Sequence, residues 1–136
     1  MVDKKIKIFC DGGSRGNPGH SAAGVVFMST DGKIIHKYHK YLGIQTNNYA
    51  EYQAVLLALD NINDYKSYNI EFYLDSMLIV KQLNGEYRVK NANLRPIYQE
   101  IINKIAGLNI SFEHIYREDN TLADAQVNIC LDNHSM

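Results

Sequence analysis

Runs of strand-forming residues recur along the chain, set apart by turn-rich segments and by stretches whose apolar side chains return at helical spacing. Residues 5–10 read as a first strand, giving way to the turn formers Asp11-Gly12-Gly13-Ser14-Arg15-Gly16-Asn17-Pro18-Gly19. A second strand is expected over 21–28, and Asp31-Gly32 marks a hairpin turn. Over 33–42, Lys33, Ile35, Lys37, His39 and Tyr41 alternate with Ile34, His36, Tyr38, Lys40 and Leu42, a third strand that completes a meander. Asn47-Asn48 offers helix caps, and Ala50, Ala54, Leu57, Ala58 and Asn61 follow at helical spacing out to about Ile62. After a strand at 70–74, Ser76–Leu83 reads as a short helix ended by Gly85. A polar connection then leads to a helix over about Leu94–Ala106, stopped by Gly107. The strand Ile110–Ile115, the polar loop Tyr116–Asn120 and a helix from Thr121 to about Leu131 complete the chain, with a tail expected to fray. No repeat, low-complexity tract or linker interrupts this order, which implies an α/β fold with one mixed sheet and helices on its faces.

At 136 residues, 46% hydrophobic and 21% charged, the chain has the size of a single domain, expected to span 1–136. No apolar stretch is long enough for a secretory signal or a membrane span, so an intracellular, cytoplasmic protein with no membrane partner is expected. Cys10 and Cys130 have neither zinc-site spacing nor disulfide density and read as buried reduced thiols. A net charge of -1 argues against a generic polyanion binder. That objection weakens if four carboxylates are neutralised by bound cations, because removing four negative charges takes -1 to +3. Lys81, Arg88, Lys90 and Arg95 also lie close together with one acid, Glu86, and one aromatic, Tyr87. This is either a modest phosphate-contacting ridge or a solvated helix end and loop.

The four carboxylates are Asp11, Glu51, Asp75 and Asp124. Asp11 and Asp75 each close a strand-forming run, placing both at strand carboxyl ends, where the sites of open α/β sheets gather. Glu51 and Asp124 lie at the starts of helical patterns. Each has a plain explanation when taken alone. Asp11 before Gly-Gly is ordinary turn chemistry, and Asp75-Ser76 suits a helix cap. Glu51 completes a capping box begun by Asn48, and Thr121–Asp124 forms another, the favoured reading of Asp124 by itself. Glu51 nevertheless shares a helical face with Val55, Ala58 and Ile62, the stripe that should turn toward the sheet. Two strand ends and two helix starts carrying acids together favour a metal site. Carboxylates about 4 Å apart repel by roughly 4 kcal/mol at an effective dielectric near 20, which only positive charge would relieve.

Other chemistries fare worse. The glycines at 13, 16 and 19 lack dinucleotide-loop spacing, and a strand follows them instead of a helix. There is no GxxxxGK[ST] phosphate loop, and the histidines are too scattered for a zinc cluster. His20, His36, His39 and His134 read as surface residues, and most of the ten tyrosines as core edges.

Asp11-Gly12-Gly13-Ser14-Arg15-Gly16-Asn17-Pro18-Gly19, Asn47-Asn48-Tyr49-Ala50-Glu51-Tyr52, Tyr73-Leu74-Asp75-Ser76, and His114-Ile115-Tyr116-Arg117-Glu118-Asp119-Asn120 with Ala123-Asp124 together resemble type 1 ribonuclease H. The match runs in order over essentially the whole chain. The resemblance implies a ribonuclease H-like fold with a five-stranded mixed sheet, a three-stranded antiparallel meander plus parallel strands, and helices on both faces. It implies a magnesium-dependent endonuclease, with manganese as a substitute, that cuts the RNA strand of RNA/DNA hybrids. By motif position, Asp11, Glu51, Asp75 and Asp124 correspond to the metal-ligating carboxylates. Two ions would activate water and stabilise the departing ribose oxygen, leaving a 5′-phosphate and a 3′-hydroxyl.

Selectivity for RNA implies contacts to the 2′-hydroxyl, for which Gly12, Gly13, Ser14, Asn17, Asn48 and Ser76 are candidates; Asn17 and Thr46 are candidates for a backbone phosphate. The family often places a mobile histidine before its last aspartate. His114 has the counting distance, but it is expected at a strand end, whereas Arg117 lies in the loop and is preferred as a product-phosphate contact. The chain departs from longer members in two places. Gly85 to Asn93 is too short for their basic extra helix, and Ala125-Gln126-Val127-Asn128 replaces a more apolar continuation after Asp124. A non-catalytic hybrid-binding module, or a nuclease of the same fold acting on double-stranded RNA or branched DNA junctions, are the alternatives. The protein is expected to be a monomer.

Overall fold

A computed structural model describes residues 4–134. Five strands form one sheet: β1 (Lys5–Arg15), β2 (Gly19–Met28), β3 (Ile34–Gln45), β4 (Asn69–Leu74) and β5 (Ile110–His114), in the order β3-β2-β1-β4-β5. β1, β2 and β3 pair antiparallel, whereas β4 lies parallel to both β1 and β5. The meander and the mixed sheet are thus as expected. The helices are α1 (Asn47–Asp60), α2 (Met77–Leu83), α3 (Arg95–Ile105) and α4 (Thr121–His134), and 3-10 turns over Asn63–Tyr65 and Arg117–Asp119 interrupt the loops.

Helices cover both faces. On one, Ile6, Ile8, Val25, Phe27 and Phe72 pack with Tyr52, Val55 and Leu59 of α1 and with Ile79 and Ile101 of α2 and α3. On the other, Ala22 packs with Val127, Cys130 and Leu131 of α4, with Tyr41 alongside. Central β2, flanked by β3 and β1, is therefore buried on both sides from Ser21 to Phe27, which accounts for its unbroken Ala-Ala-Gly-Val-Val-Phe run in place of an alternating one. Both cysteines are buried and free.

The elements differ from the expected ones mainly at their ends. β1 continues through Asp11 and the following glycines to Arg15, because the segment read as a turn pairs with β2, Asp11 opposite Gly24 and Gly12 opposite Ala23. These glycines serve close packing. A Cβ on Gly12 would fall 2.1 Å from the Ala50 carbonyl carbon, and one on Gly24 2.5 Å from the Ala123 oxygen. Bare backbone at Gly12 and Gly24 thus lets α1 and α4 rest directly on the sheet, one on each face, beside Glu51 and Asp124. Thr46 caps α1 in place of Asn47-Asn48, its hydroxyl accepting from Tyr49 N at 3.2 Å. α4 runs past the expected fray to His134, whose ring stacks on Tyr41 at 4.1 Å, while Arg15 pairs with Asp132 at 2.7 Å. Residues 135 and 136 of that tail lie outside the described residues.

Candidate active site

The parallel register pairs Cys10 with Leu74, so the next residues, Asp11 within β1 and Asp75 just past the end of β4, stand side by side. α1, seated on Gly12, presents Glu51 in its second turn to the same point. One carboxylate oxygen from each of Asp11, Glu51 and Asp75 lies within 4.8 Å of the others. Asp124, the fourth residue of α4, stands at the rim, exposed and close enough for its charge to act on Asp11 but outside the mutual reach of all three. The plain readings of the two helical acids do not hold. Glu51 is two residues beyond the Thr46–Tyr49 cap, and Thr121 is already helical, its turn opening with the 3.1 Å bond from Asp124 N to Asn120 O.

Burial and mutual repulsion dominate the electrostatics. The Asp11 carboxyl is pushed up to about 8, first by burial, then by the charges of Asp75, Asp124 and Glu51. Glu51 is raised to about 7 by burial and by Asp75, partly offset by a hydrogen bond from Ser76 and the charge of Arg117. Such a set holds negative charge at neutral pH only at considerable cost, and a cation removes that cost. The donors are all carboxylate oxygens, the set that suits hard divalent ions such as magnesium or manganese.

The cluster opens into a cleft of about 290 Å³ lined also by Gly12, Gly13, Ser14, Asn47 and Arg117. Arg117 is therefore at the site. His114 ends β5 with its ring edge-on to Tyr116 and does not line the cleft. Ser76 caps α2 through Ile79 N at 3.3 Å and reaches Glu51. Asn17 accepts from Asn47 N at 3.1 Å, tying the loop after β1 to the start of α1. Asn48 is exposed, and Thr46 borders a separate depression with Tyr49, Asn91 and Asn93; neither lines the acidic cleft. Asn47, Asn120 and Asn128 were not anticipated. Asn47 Oδ1 accepts from Ser14 N at 2.8 Å, and Asn128 Nδ2 donates to Asp124 Oδ2 at 3.2 Å. Asn120 is buried, and its amide donates to Asp75.

The basic ridge flanks a larger groove of about 760 Å³ between Gly85 and Gln99. Two of its cations are partly engaged. Lys81 lies 5.3 Å from the centre of the Tyr87 ring, and Arg95 Nε donates to Val89 O at 3.2 Å.

Residues 9–130 match the family described as "Reverse transcriptase-like". Over 129 residues, 94% of this chain, the sequence is 37% identical to a protein of Halobacterium salinarum named Ribonuclease HI. The chain belongs to the type 1 ribonuclease H family. Among solved members of that enzyme family, LC11-RNase H1 in complex with RNA/DNA hybrid superposes with a TM-score of 0.90 at 36% identity, covering 95% of this chain and 98% of that one. The N-terminal RNase H domain of Rv2228c from Mycobacterium tuberculosis superposes at 0.89 with 32% identity, covering 96% of each chain. The chain spans less than two thirds of the full-length curated relatives, 65% of the Halobacterium protein and 36% of the mycobacterial one.

Proposed function

We propose that this protein hydrolyses the RNA strand of RNA/DNA hybrids with two magnesium ions, manganese substituting, and leaves 5′-phosphate and 3′-hydroxyl ends. The observation that carries the reading is the convergence of Asp11, Glu51 and Asp75 within 4.8 Å, with Asp124 beside Asp11 at the mouth. The hybrid bound by LC11-RNase H1 supports the choice of substrate.

Asp11, Glu51 and Asp75 would hold the ions, and Asp124 would complete the set from the rim. Bound divalent ions supply a lowered water pKa and neutralise charge growing on the phosphate oxygens. Attack by water forms a new phosphorus–oxygen bond and breaks the bond to the ribose 3′ oxygen, which leaves as a hydroxyl once protonated. No protein nucleophile is required, and neither buried cysteine serves as one. Gly12, Gly13 and Ser14 line the cleft wall where backbone groups would meet a ribose 2′-hydroxyl. Arg117 would hold the cleaved phosphate, since a planar guanidinium fork matches the geometry of phosphate oxygens. In this reading His114 has no part in the chemistry.

Incubation of a labelled RNA/DNA duplex with the protein and magnesium should yield 5′-phosphorylated RNA fragments. Absence of cleavage, or undiminished cleavage by Asp11→Asn, would rule the reading out.

A further inference from the structure

Asn120 is 1% exposed, the most buried polar side chain at the acidic site. Its Nδ2 donates to the Cys10 carbonyl at 2.9 Å and to Asp75 Oδ2 at 2.9 Å. A main-chain carbonyl only accepts, so the amide cannot be turned over: its nitrogen must face Cys10 and Asp75. Its oxygen is left buried without a partner. A buried polar atom left unpaired is costly, and here that cost accompanies the direction of both amide hydrogens at the site.

These contacts join the segments that carry the acids. Cys10 immediately precedes Asp11, Asp75 follows β4, and the Asn120 carbonyl accepts the 3.1 Å bond from Asp124 N that opens α4. A carboxylate has two oxygens. Holding one with an amide donor fixes the plane of the group and leaves the other for a cation, while the donor offsets part of the repulsion from Asp11 and Glu51.

Resting on the functional reading above, we infer that Asn120 is a positioning residue that orients the Asp75 carboxylate and thereby sets the affinity of the site for divalent cations. It touches neither substrate nor reacting atoms. Removing the amide should therefore alter metal affinity without altering hybrid affinity once the metal site is saturated, a separation that a merely structural role would not produce.

The test uses the full chain with Asn120→Ala and Asn120→Asp, measuring magnesium binding by calorimetry, KM and kcat for a hybrid over a magnesium series, and thermal unfolding. The expected result is a loss of about 10- to 100-fold in magnesium affinity, the usual scale for a residue that orients a metal ligand. At saturating magnesium the KM for hybrid should stay within about twofold of wild type, and kcat should fall at low magnesium and recover at high magnesium, a separation expected of a residue acting through the metal. Folded variants that bind magnesium as the wild type does would overturn the inference. So would failure of both variants to fold, since the amide would then hold the fold and not the carboxylate. Wild-type protein that takes up no magnesium would overturn the functional reading itself, and this inference with it.

Discussion

At Asp11, burial and three neighbouring carboxylates all act in one direction, toward the protonated form. The consequence for stability follows from proton linkage. Asp11 shifts from 3.8 to about 8 and Glu51 from 4.5 to about 7, so the folded state holds protons that the unfolded chain has already released. Without metal, the stability from these groups should be complete below about pH 4 and be lost as pH rises toward 8, the window those shifts define. Asp11→Asn should flatten that loss and raise the metal-free Tm at pH 8 by about 4 °C, the scale of roughly 1 kcal/mol in a chain of this size. It should also reduce cleavage on the order of 10³-fold. Thermal scans in chelator across the pH range check the first outcome, and a wild-type Tm that climbs from pH 5 to 8 would contradict it. Arg117→Ala should slow turnover by about 10-fold or more, as expected for loss of a charge aimed at phosphate, whereas His114→Ala should stay within about twofold. Steady-state rates on one hybrid decide between them, and equal or reversed effects would reassign the role. The acids and Arg117 were legible in the sequence because their chemistry is conspicuous. Asn120 was not, since an asparagine ahead of a helix has an ordinary explanation, and only burial shows that its side chain turns inward.

Between elements, the site depends on how closely two helices approach the sheet. Gly12→Ala would place a methyl group 2.1 Å from backbone of α1, and backbone, unlike a flexible side chain, cannot swing aside. The helix must lift, taking Glu51 with it. The expected cost is about 3 kcal/mol or more, together with weakened magnesium binding. Chemical denaturation and calorimetry on the same variant check both effects, and a neutral Gly12→Ala would show that α1 is free to shift. Element order and type could be read from periodicity, but the extent of β1 could not. A glycine pair after aspartate is locally turn-like, and the partner that keeps it extended, β2, enters only through tertiary pairing. Gln126 has a similar history. Read as a polar intrusion into α4, it is buried over Gly24, with its amide oxygen 3.4 Å from His39 Nδ1. The bare strand beneath makes room for a long polar side chain that a bulkier residue at 24 would have displaced.

For the molecule as a whole, charge decides how a hybrid is gripped. The net charge of -1 becomes +3 only when the four carboxylates are neutralised, so metal loading and substrate affinity should rise together. The ridge offers few unengaged cations. Lys81 lies over Tyr87 and 4.0 Å from Glu86, and Arg95 is tied to Val89 O, leaving Arg88 and Lys90 exposed on the ridge, with Arg117 at the cleft. Phosphate contacts release counterions at close to one per contact, so three or four contacts give a log–log salt slope of about -3. From 50 to 200 mM salt, hybrid affinity should then fall by about 60-fold, well short of the 10³-fold or more that six to ten contacts would produce. The slope should be measured as KM against salt at saturating magnesium, so that competition for the metal site does not enter. Arg88→Ala and Lys90→Ala should each make it shallower by about one unit if the ridge meets phosphate. An unchanged slope in both variants would place the duplex elsewhere on the surface, and the ridge would then be no more than the solvated end of α2 and its loop.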